Sequence, residues 1–147
     1  MKFLILNGPN LDLLGLREPD IYGAKTYDML EDEWRVHAAA LGITVRALQS
    51  NHEGVLLDEV ARAYREGYDG IVLNPAAYTH TSIALLDALR AVGLPTVEVH
   101  ISDTDCREPF RQMSYIRPAC IATVKGHGTD GYLEAMDILA QYIRANV

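Results

Sequence analysis

The sequence contains few cysteines, few lysines and no long hydrophobic run. Cys106 and Cys120 form neither a disulfide framework nor a metal-binding spacing, which is typical of a protein from a reducing compartment. With a net charge of −7, the chain has no basic surface of the kind that binds nucleic acid. The apolar run at residues 3–6 is too short for a signal peptide or a membrane span, so we expect a cytoplasmic protein.

The length and the composition indicate one globular domain. The chain has 147 residues, of which 49% are hydrophobic and 22% are charged, and this is enough to bury a substantial core. We therefore expect a single domain that spans residues 1–147. The sequence shows no internal repeat and no low-complexity tract that would divide it.

Hydrophobic patterning predicts five strands that alternate with helices. This alternation is typical of α/β proteins with a parallel sheet and helices on both faces. The commonest order of five such strands is the flavodoxin-like order 2-1-3-4-5, so we predict a three-layer α/β/α fold with this order. The predicted strands cover residues 2–7, 43–48, 70–73, 94–102 and 119–124, and the predicted helices cover residues 26–41, 53–66, 79–92 and 131–144.

Two long segments lack the periodicity of a helix or a strand. Residues 8–25 are rich in glycine and proline and carry Arg17 and Tyr22. Because a loop of this length in a compact domain usually serves a function, we predict that residues 8–25 form a lid loop. Residues 102–118 form the second irregular segment, with one short helix expected near residues 107–113.

The predicted fold brings polar side chains to one edge of the sheet. In such sheets, ligands bind beyond the carboxyl ends of the strands, where the strand order reverses. Asn10, Asn74 and His100 follow or end three of the strands, and His80 begins the next helix, so we expect these four residues to converge. Each asparagine has two possible roles: it binds a water or substrate hydroxyls, or it only forms hydrogen bonds with the backbone of a turn. His80 either binds a ligand or only lies in the capping region of the helix.

Glu98 and His100 are candidates for proton transfer. The two residues lie two positions apart in a predicted strand, so their side chains share one face. Histidine titrates near neutrality, and a neighbouring carboxylate favours its charged form. The alternative is a purely structural pair.

Tyr22 becomes a candidate base if cations lie beside it. A phenol has an ordinary pKa of about 10, and neighbouring positive charges lower it. Arg17 lies in the same segment, and Arg107 and Arg111 lie in the other irregular segment. These arginines could also bind a substrate carboxylate. The alternatives are an aromatic ring that packs the loop shut and arginines on a solvated face.

Other chemistries fit the sequence less well. A Schiff-base enzyme would have to use Lys25 or Lys125, because Lys2 begins a strand at the opposite edge of the sheet. A flavodoxin-type binding module would need a phosphate-binding loop after the first strand, and a receiver domain would need an aspartate where Asn74 stands. No group of residues has the spacing of a metal site.

Six motifs together resemble type II 3-dehydroquinate dehydratase. Each motif is weak by itself, but together they are specific and extend over nearly the whole chain. The motifs, with x at positions that do not count, are LNGPNL at residues 6–11, GxREPxxYG at 15–23, QSNHEG at 49–54, NPxAYTHTS at 74–82, EVHIS at 98–102 and RExFR at 107–111.

The resemblance implies an elimination of water from 3-dehydroquinate that yields 3-dehydroshikimate, in the shikimate pathway or in quinate breakdown. The family carries it out as an anti elimination through an enolate, without metal or organic cofactor. By position, Tyr22 matches the base at C2, Arg17 the arginine that activates it, and His100, with Glu98 as its partner, the acid for the C1 hydroxyl. Asn10 matches the residue that holds a water against the enolate. The positions that match substrate-binding residues are Asn74, His80, Ile101, Ser102 and Arg111, with Arg107 as the second loop arginine.

The resemblance also implies a homododecamer, a tetramer of trimers, in which Asp87 reaches the site of a neighbouring subunit. Some positions depart from the usual family pattern, although none of them removes a proposed catalytic group. Ala76 stands in place of a usual glycine, and we expect Ala76 and Met113 to alter loop fit. The other departures are Asp12, Asp105 and His127.

Overall fold

The sheet has five parallel strands. A computed structural model describes residues 1–16 and 18–147, with the side chain of Tyr22 also outside the described part. The strands are β1 (Lys2–Asn7), β2 (Thr44–Gln49), β3 (Gly70–Asn74), β4 (Thr96–His100) and β5 (Ala122–Lys125). Their order is β2-β1-β3-β4-β5, so the predicted flavodoxin-like order is confirmed.

Two of the helices begin directly after a side chain that caps them. Thr26 accepts a hydrogen bond from the backbone N–H of Met29 at 3.3 Å, and Ser82 accepts one from Leu85 at 3.0 Å. Such caps satisfy backbone donors that the first helical turn leaves free. The helices are α1 (Pro19–Tyr22), α2 (Tyr27–Ala40), α3 (Glu53–Arg65), α4 (Ile83–Val92) and α5 (Gly131–Ala145).

Helices cover both faces of the sheet. Phe3 and Ile5 of β1 pack with α2 and α5 on one face, whereas Leu4 and Leu6 pack with α3 and α4 on the other. All four side chains are fully buried. The continuous apolar run of β1 follows from this arrangement, because a strand covered on both faces has no solvent side.

The irregular segments differ in detail from the prediction. Residues 8–25 include a 3₁₀ turn at Leu11–Leu13 and the short helix α1. In the second segment, the short helix expected near residues 107–113 is a three-residue 3₁₀ turn, Pro109–Arg111, rather than an α-helix. Two further 3₁₀ turns, Thr104–Cys106 and Arg117–Ala119, lie on either side of it. Two of these turns contain a proline near their start, which limits how a longer helix could form through them.

The strand and helix starts near these turns also shift. β5 begins at Ala122 rather than at residue 119, because the turn Arg117–Ala119 occupies the predicted start. His80 does not begin α4 as predicted, since it ends a 3₁₀ turn, Ala76–His80, and Ser82 caps the helix.

The backbones after β1 and β3 approach each other closely. Asn7 and Asn74 are partners in the sheet register, and the N–H of Gly8 donates to the carbonyl of Asn74 at 2.8 Å. A Cβ atom at Gly8 would lie 2.4 Å from the carbonyl oxygen of Pro75. Only glycine fits there, and the contact sets the floor of the crevice where the strand order reverses.

Across residues 1–16 and 18–147, the helices are all too short or too polar to cross a lipid bilayer.

Candidate active site

A pocket opens at the carboxyl ends of β1, β3 and β4. It lies where the strand order reverses, which is where sheets of this type bind ligands. Amide, imidazole and guanidinium groups line it together with small apolar side chains. The structure thus brings together most of the residues that the sequence suggests: Asn10, Asn74, His80, His100, Ile101, Ser102, Arg107 and Arg111.

Glu98 and His100 form a buried pair at the end of β4. His100 Nε2 lies 2.7 Å from Glu98 Oε1, and the Glu98 side chain is 0% exposed. A carboxylate only accepts, so this contact places the hydrogen on Nε2 of His100. Nδ1 is then the nitrogen that remains for a ligand in the pocket. Glu98 itself does not line the pocket and lies behind His100.

Hydroxyl groups and one arginine surround the Glu98 carboxylate. Thr79 and Ser114 donate to Oε1 at 2.6 and 2.8 Å, and Thr123 donates to Oε2 at 3.2 Å. Arg117 Nε lies 3.4 Å from Oε2. Burial alone would raise the pKa of Glu98, but the hydrogen bond and charge of His100, with the two hydroxyls on Oε1, lower it to about 2. Glu98 is therefore a carboxylate at neutral pH.

Asn74 is held in one orientation by a buried tyrosine. Its Nδ2 donates to Tyr132 Oη at 2.8 Å, and its Oδ1 accepts from the N–H of Ala76 at 3.1 Å. Tyr132 Oη in turn donates to Asn7 Oδ1 at 2.6 Å. Burial raises the pKa of Tyr132 far above its ordinary value, so the phenol stays protonated and keeps donating. These bonds leave one N–H of Asn74 for a ligand.

Asn10 is positioned by the segment after β2. Its backbone has a left-handed φ of 69°, and its N–H donates to Asn51 Oδ1 at 3.0 Å. Gln49 Nε2 donates to the same oxygen at 3.0 Å and to the carbonyl of Gly8 at 3.1 Å. Among the described residues, these bonds use only the backbone of Asn10, and Asn10 lines the pocket.

His80 is oriented by the second irregular segment. Its Nδ1 lies 2.6 Å from the carbonyl oxygen of Met113. Since a carbonyl only accepts, Nδ1 carries the hydrogen, and Nε2 of a neutral ring is an acceptor. Met113 takes part through its backbone, and its side chain is 58% exposed. The departure at Met113 therefore does not alter this contact.

Arg107 and Arg111 come from the second irregular segment. Arg107 Nη1 donates to Ser102 Oγ at 3.4 Å, and its Nη2 lies 4.0 Å from Glu18 Oε2. Arg111 Nε donates to Glu108 Oε2 at 2.7 Å. Glu18 precedes α1, so this ion pair brings the two irregular segments into contact, as the interpretation of Tyr22 as a base requires.

Four of the suggested residues are not among the lining residues, and one of them is Glu98, which lies behind His100. Arg17 and the side chain of Tyr22 lie outside the described part of the chain, where only the backbone of Tyr22 is placed, as the last residue of α1. Asp87 is exposed on α4 and does not line the pocket of its own chain.

Five contributors to the site are absent from the sequence-based expectations. They are the side chains that hold Glu98 and Asn74 from behind, and only Thr79 among them lies within one of the six motifs, at residues 74–82. They are Thr79, Ser114, Arg117, Thr123 and Tyr132. In the sequence, these residues are recognisable only as polar side chains among apolar neighbours. This pattern does not show which residue each side chain contacts.

Two of the unusual positions form ion pairs near the pocket. Asp105 pairs with Lys125, whose hydrogen bond lowers the pKa of the aspartate, and this joins the segment after β4 to the end of β5. His127 Nδ1 lies 2.5 Å from Glu134 Oε2 at the start of α5. Asp12 is exposed. No cluster of three or more potential metal ligands occurs in the described residues.

Ala76 is strained in the pocket wall, and its replacement by glycine is expected to stabilise the protein. Its φ is 51°, in the left-handed region that costs an ordinary residue about 1–2 kcal/mol. Allowing for the lost methyl contact, we expect Ala76→Gly to raise the free energy of unfolding by about 0.5–1 kcal/mol in urea titration. Ala77→Gly, next to it, is the control and should destabilise. A lower stability for Ala76→Gly would contradict the strain.

Comparison with known proteins identifies similar sequences over almost the full length. The family model for dehydroquinase class II matches residues 1–140. A 3-dehydroquinate dehydratase of Clostridium perfringens (strain 13 / Type A) is 48% identical over 145 residues, which are 99% of both chains. The 3-dehydroquinate dehydratase 1 of Corynebacterium efficiens is 55% identical over 139 residues, which are 95% of this chain and 91% of that protein.

A solved structure shows the same likeness in three dimensions. The crystal structure of type II dehydroquinase from Butyrivibrio crossotus DSM 2876 superposes with a TM-score of 0.93 at 46% identity. The alignment covers 95% of this chain and 97% of the other.

Proposed function

Because the chain belongs to the class II dehydroquinase family and is a 3-dehydroquinate dehydratase, we propose that Tyr22 and His100 divide the elimination of water between them. The Tyr22 phenolate removes a proton from C2 of 3-dehydroquinate, and the electron pair forms an enolate with the ketone. The enolate then collapses, the C1–O bond breaks, and His100 protonates the leaving hydroxyl. The products are 3-dehydroshikimate and water.

The observation that carries the acid role is the buried Glu98–His100 pair. With Nε2 bonded to Glu98, the imidazolium has Nδ1–H to give to the leaving group. Glu98 remains ionised and favours the charged ring before the transfer. An acid of this kind typically contributes about 10²–10⁴-fold to the rate.

The base role rests on the resemblance and on the position of α1. The phenol of Tyr22 needs neighbouring cations, and Arg17 with Arg107 are the proposed ones. The ion pair between Glu18 and Arg107 supports this, because it joins the start of α1 to the arginine segment. We further propose that residues 8–25 act as a lid that excludes water when the substrate is bound.

The remaining pocket residues are proposed to bind the substrate. The pocket is lined by Arg111, Ile101 and Ser102. There, the guanidinium group and nearby hydrogen-bond donors are proposed to bind the carboxylate of the substrate. Asn74 and His80 offer an N–H and a ring nitrogen to the hydroxyls. Asn10 is proposed to hold a water against the enolate, since enolate charge requires a preorganised donor.

We also propose that the chain works as a homododecamer of four trimers, with Asp87 completing a neighbouring site. The exposure of Asp87 on α4, away from its own pocket, supports this role. Sedimentation velocity tests the assembly, and a dissociated subunit with full turnover would contradict the role of Asp87. Whether the reaction serves the shikimate pathway or quinate breakdown is decided by the genes that flank the coding sequence.

Borohydride distinguishes this enolate mechanism from a Schiff-base elimination. We expect that sodium borohydride added with 3-dehydroquinate leaves the activity and the intact mass of the chain unchanged, because no lysine forms an imine. Turnover is followed by the near-ultraviolet absorbance of the enone. A mass increase that maps to Lys25 or Lys125 after proteolysis would overturn the mechanism.

A further inference from the structure

The Glu98 carboxylate contacts a different cation at each oxygen. On Oε1, His100 Nε2 lies at 2.7 Å. On Oε2, Arg117 Nε lies at 3.4 Å. The carboxylate is fully buried, and within the described residues no other arginine or lysine forms an ion pair with it. A single buried negative charge is thus shared by a titrating ring and a permanent cation.

Arg117 reaches this position from a short turn next to a buried residue. It begins the 3₁₀ turn Arg117–Ala119, and the residue before it, Ile116, is fully buried in the core. Its backbone N–H donates to Ser114 Oγ at 3.1 Å, and Ser114 donates to Glu98 Oε1. Arg117 therefore contacts the carboxylate directly through Nε and indirectly through Ser114.

The contact between Arg117 and Glu98 is one of charge rather than of hydrogen bonding. Arg117 Nε is buried, yet it makes no hydrogen bond of good geometry to any described residue. The side chain as a whole is 37% exposed, so solvent weakens its field without removing it.

The catalytic cycle makes this second cation necessary. When His100 gives its proton away, the ring becomes neutral and Glu98 loses its charged partner. A buried carboxylate without a compensating cation is costly, and the cost would hold the proton on His100. Arg117 stays charged throughout, so it stabilises the carboxylate in both states of the ring.

We propose that Arg117 is a positioning residue for the reaction, which keeps Glu98 ionised and makes His100 a stronger acid by offsetting part of the charge that the imidazolium sees. This inference rests on the proposed acid role of His100. It requires no contact between Arg117 and the substrate, and Arg117 does not line the pocket.

The other charged groups near the pair belong to other residues, which an Arg117 variant retains. The pocket contributes imidazole and guanidinium groups, the neighbouring strand contributes an ion pair, and a half-buried thiol lies beyond Arg117. These groups are His80, Arg107, Arg111, Lys125 with Asp105, and Cys120. A comparison between the wild type and an Arg117 variant therefore isolates the charge of Arg117.

The first experiment follows the titration of the His100 ring by NMR in the intact enzyme, with the signal assigned from His100→Ala. In Arg117→Gln, we expect the pKa of His100 to rise by about half a unit to one unit, because the carboxylate then acts on the ring alone. Arg117→Lys should recover most of the wild-type value. Arg65→Gln, which removes an exposed charge on α3, should leave the ring unchanged.

Arg117→Met repeats the measurement with an aliphatic side chain, so that one poorly folding variant does not decide the result. An unchanged His100 titration in a folded Arg117→Gln or Arg117→Met protein overturns the proposal. A shift of equal size in Arg65→Gln also overturns it, since the effect would then come from net charge alone.

The second experiment separates this inference from the proposed function. The pH profile of kcat should move in Arg117→Gln in the same direction as the ring, toward higher pH on the limb where His100 loses its proton, with little change in KM. A ring that shifts while the kcat profile does not would support the coupling between Arg117 and His100 and would contradict the acid role of His100.

Discussion

His100→Ala is expected to slow the dehydration of 3-dehydroquinate by about 10²–10⁴-fold, the usual contribution of a positioned general acid. The alanine variant still has Tyr22, so it should still remove the C2 proton and form the enolate. The enolate then lacks a proton donor for the hydroxyl at C1, and it returns to substrate. Exchange of the C2 proton with solvent should therefore be impaired much less than dehydration.

Two rates measured on the same sample test this. NMR in D2O reports the loss of the C2 proton signal from the substrate, and the enone absorbance reports dehydration. His37→Ala, which changes a histidine that pairs with Asp137 on the outside of α2 and does not line the pocket, is the matched control and should leave both rates unchanged. Equal losses of exchange and dehydration in His100→Ala would argue against its role as the acid, provided that thermal unfolding shows a native protein.

Tyr22→Phe is expected to remove most of the turnover, by about 10²–10⁴-fold in kcat, with a small change in KM. Phenylalanine retains the ring and loses the oxygen that takes the C2 proton. Substrate binding relies on other proposed groups, at Asn74, His80 and Arg111, which the variant retains. In contrast to His100→Ala, this variant should lose C2 exchange and dehydration together.

The control for Tyr22→Phe is Tyr64→Phe, because Tyr64 is 61% exposed on α3, on a helix that contributes no residue to the pocket. Steady-state kinetics with both variants gives the comparison. A Tyr22→Phe enzyme with near wild-type kcat could not be using Tyr22 as its base, and the proposed mechanism would then fail at its first step.

Much of the fold is predictable from local pattern. The sequence predicts β1 over residues 2–7, and the structure has it at Lys2–Asn7. The unbroken apolar run is a strong signal because both faces of this strand are covered. Prediction is poorest at residues 102–121, where short 3₁₀ turns follow one another and no hydrophobic period is long enough to be recognised.

The residues of the candidate site could also be predicted only in part. Asn74, His80 and His100 could be placed at one pocket because the carboxyl ends of parallel strands meet at one sheet edge. Their supporting contacts could not be predicted. Tyr132 holds Asn74 across 58 residues of sequence, and no local period relates two such positions.

From the sequence alone we could predict the order of the strands, the family and most of the residues that line the pocket. Each of these depends on local hydrophobic patterns and on motifs that lie within a few residues of one another. The tertiary structure decided how the charges are shared: Glu98 contacts His100 on one oxygen and Arg117 on the other. Only the tertiary structure shows that the backbone of Ala76 has a strained, positive φ. These features depend on distances between segments that are remote in sequence, and such distances exist only once the chain has folded.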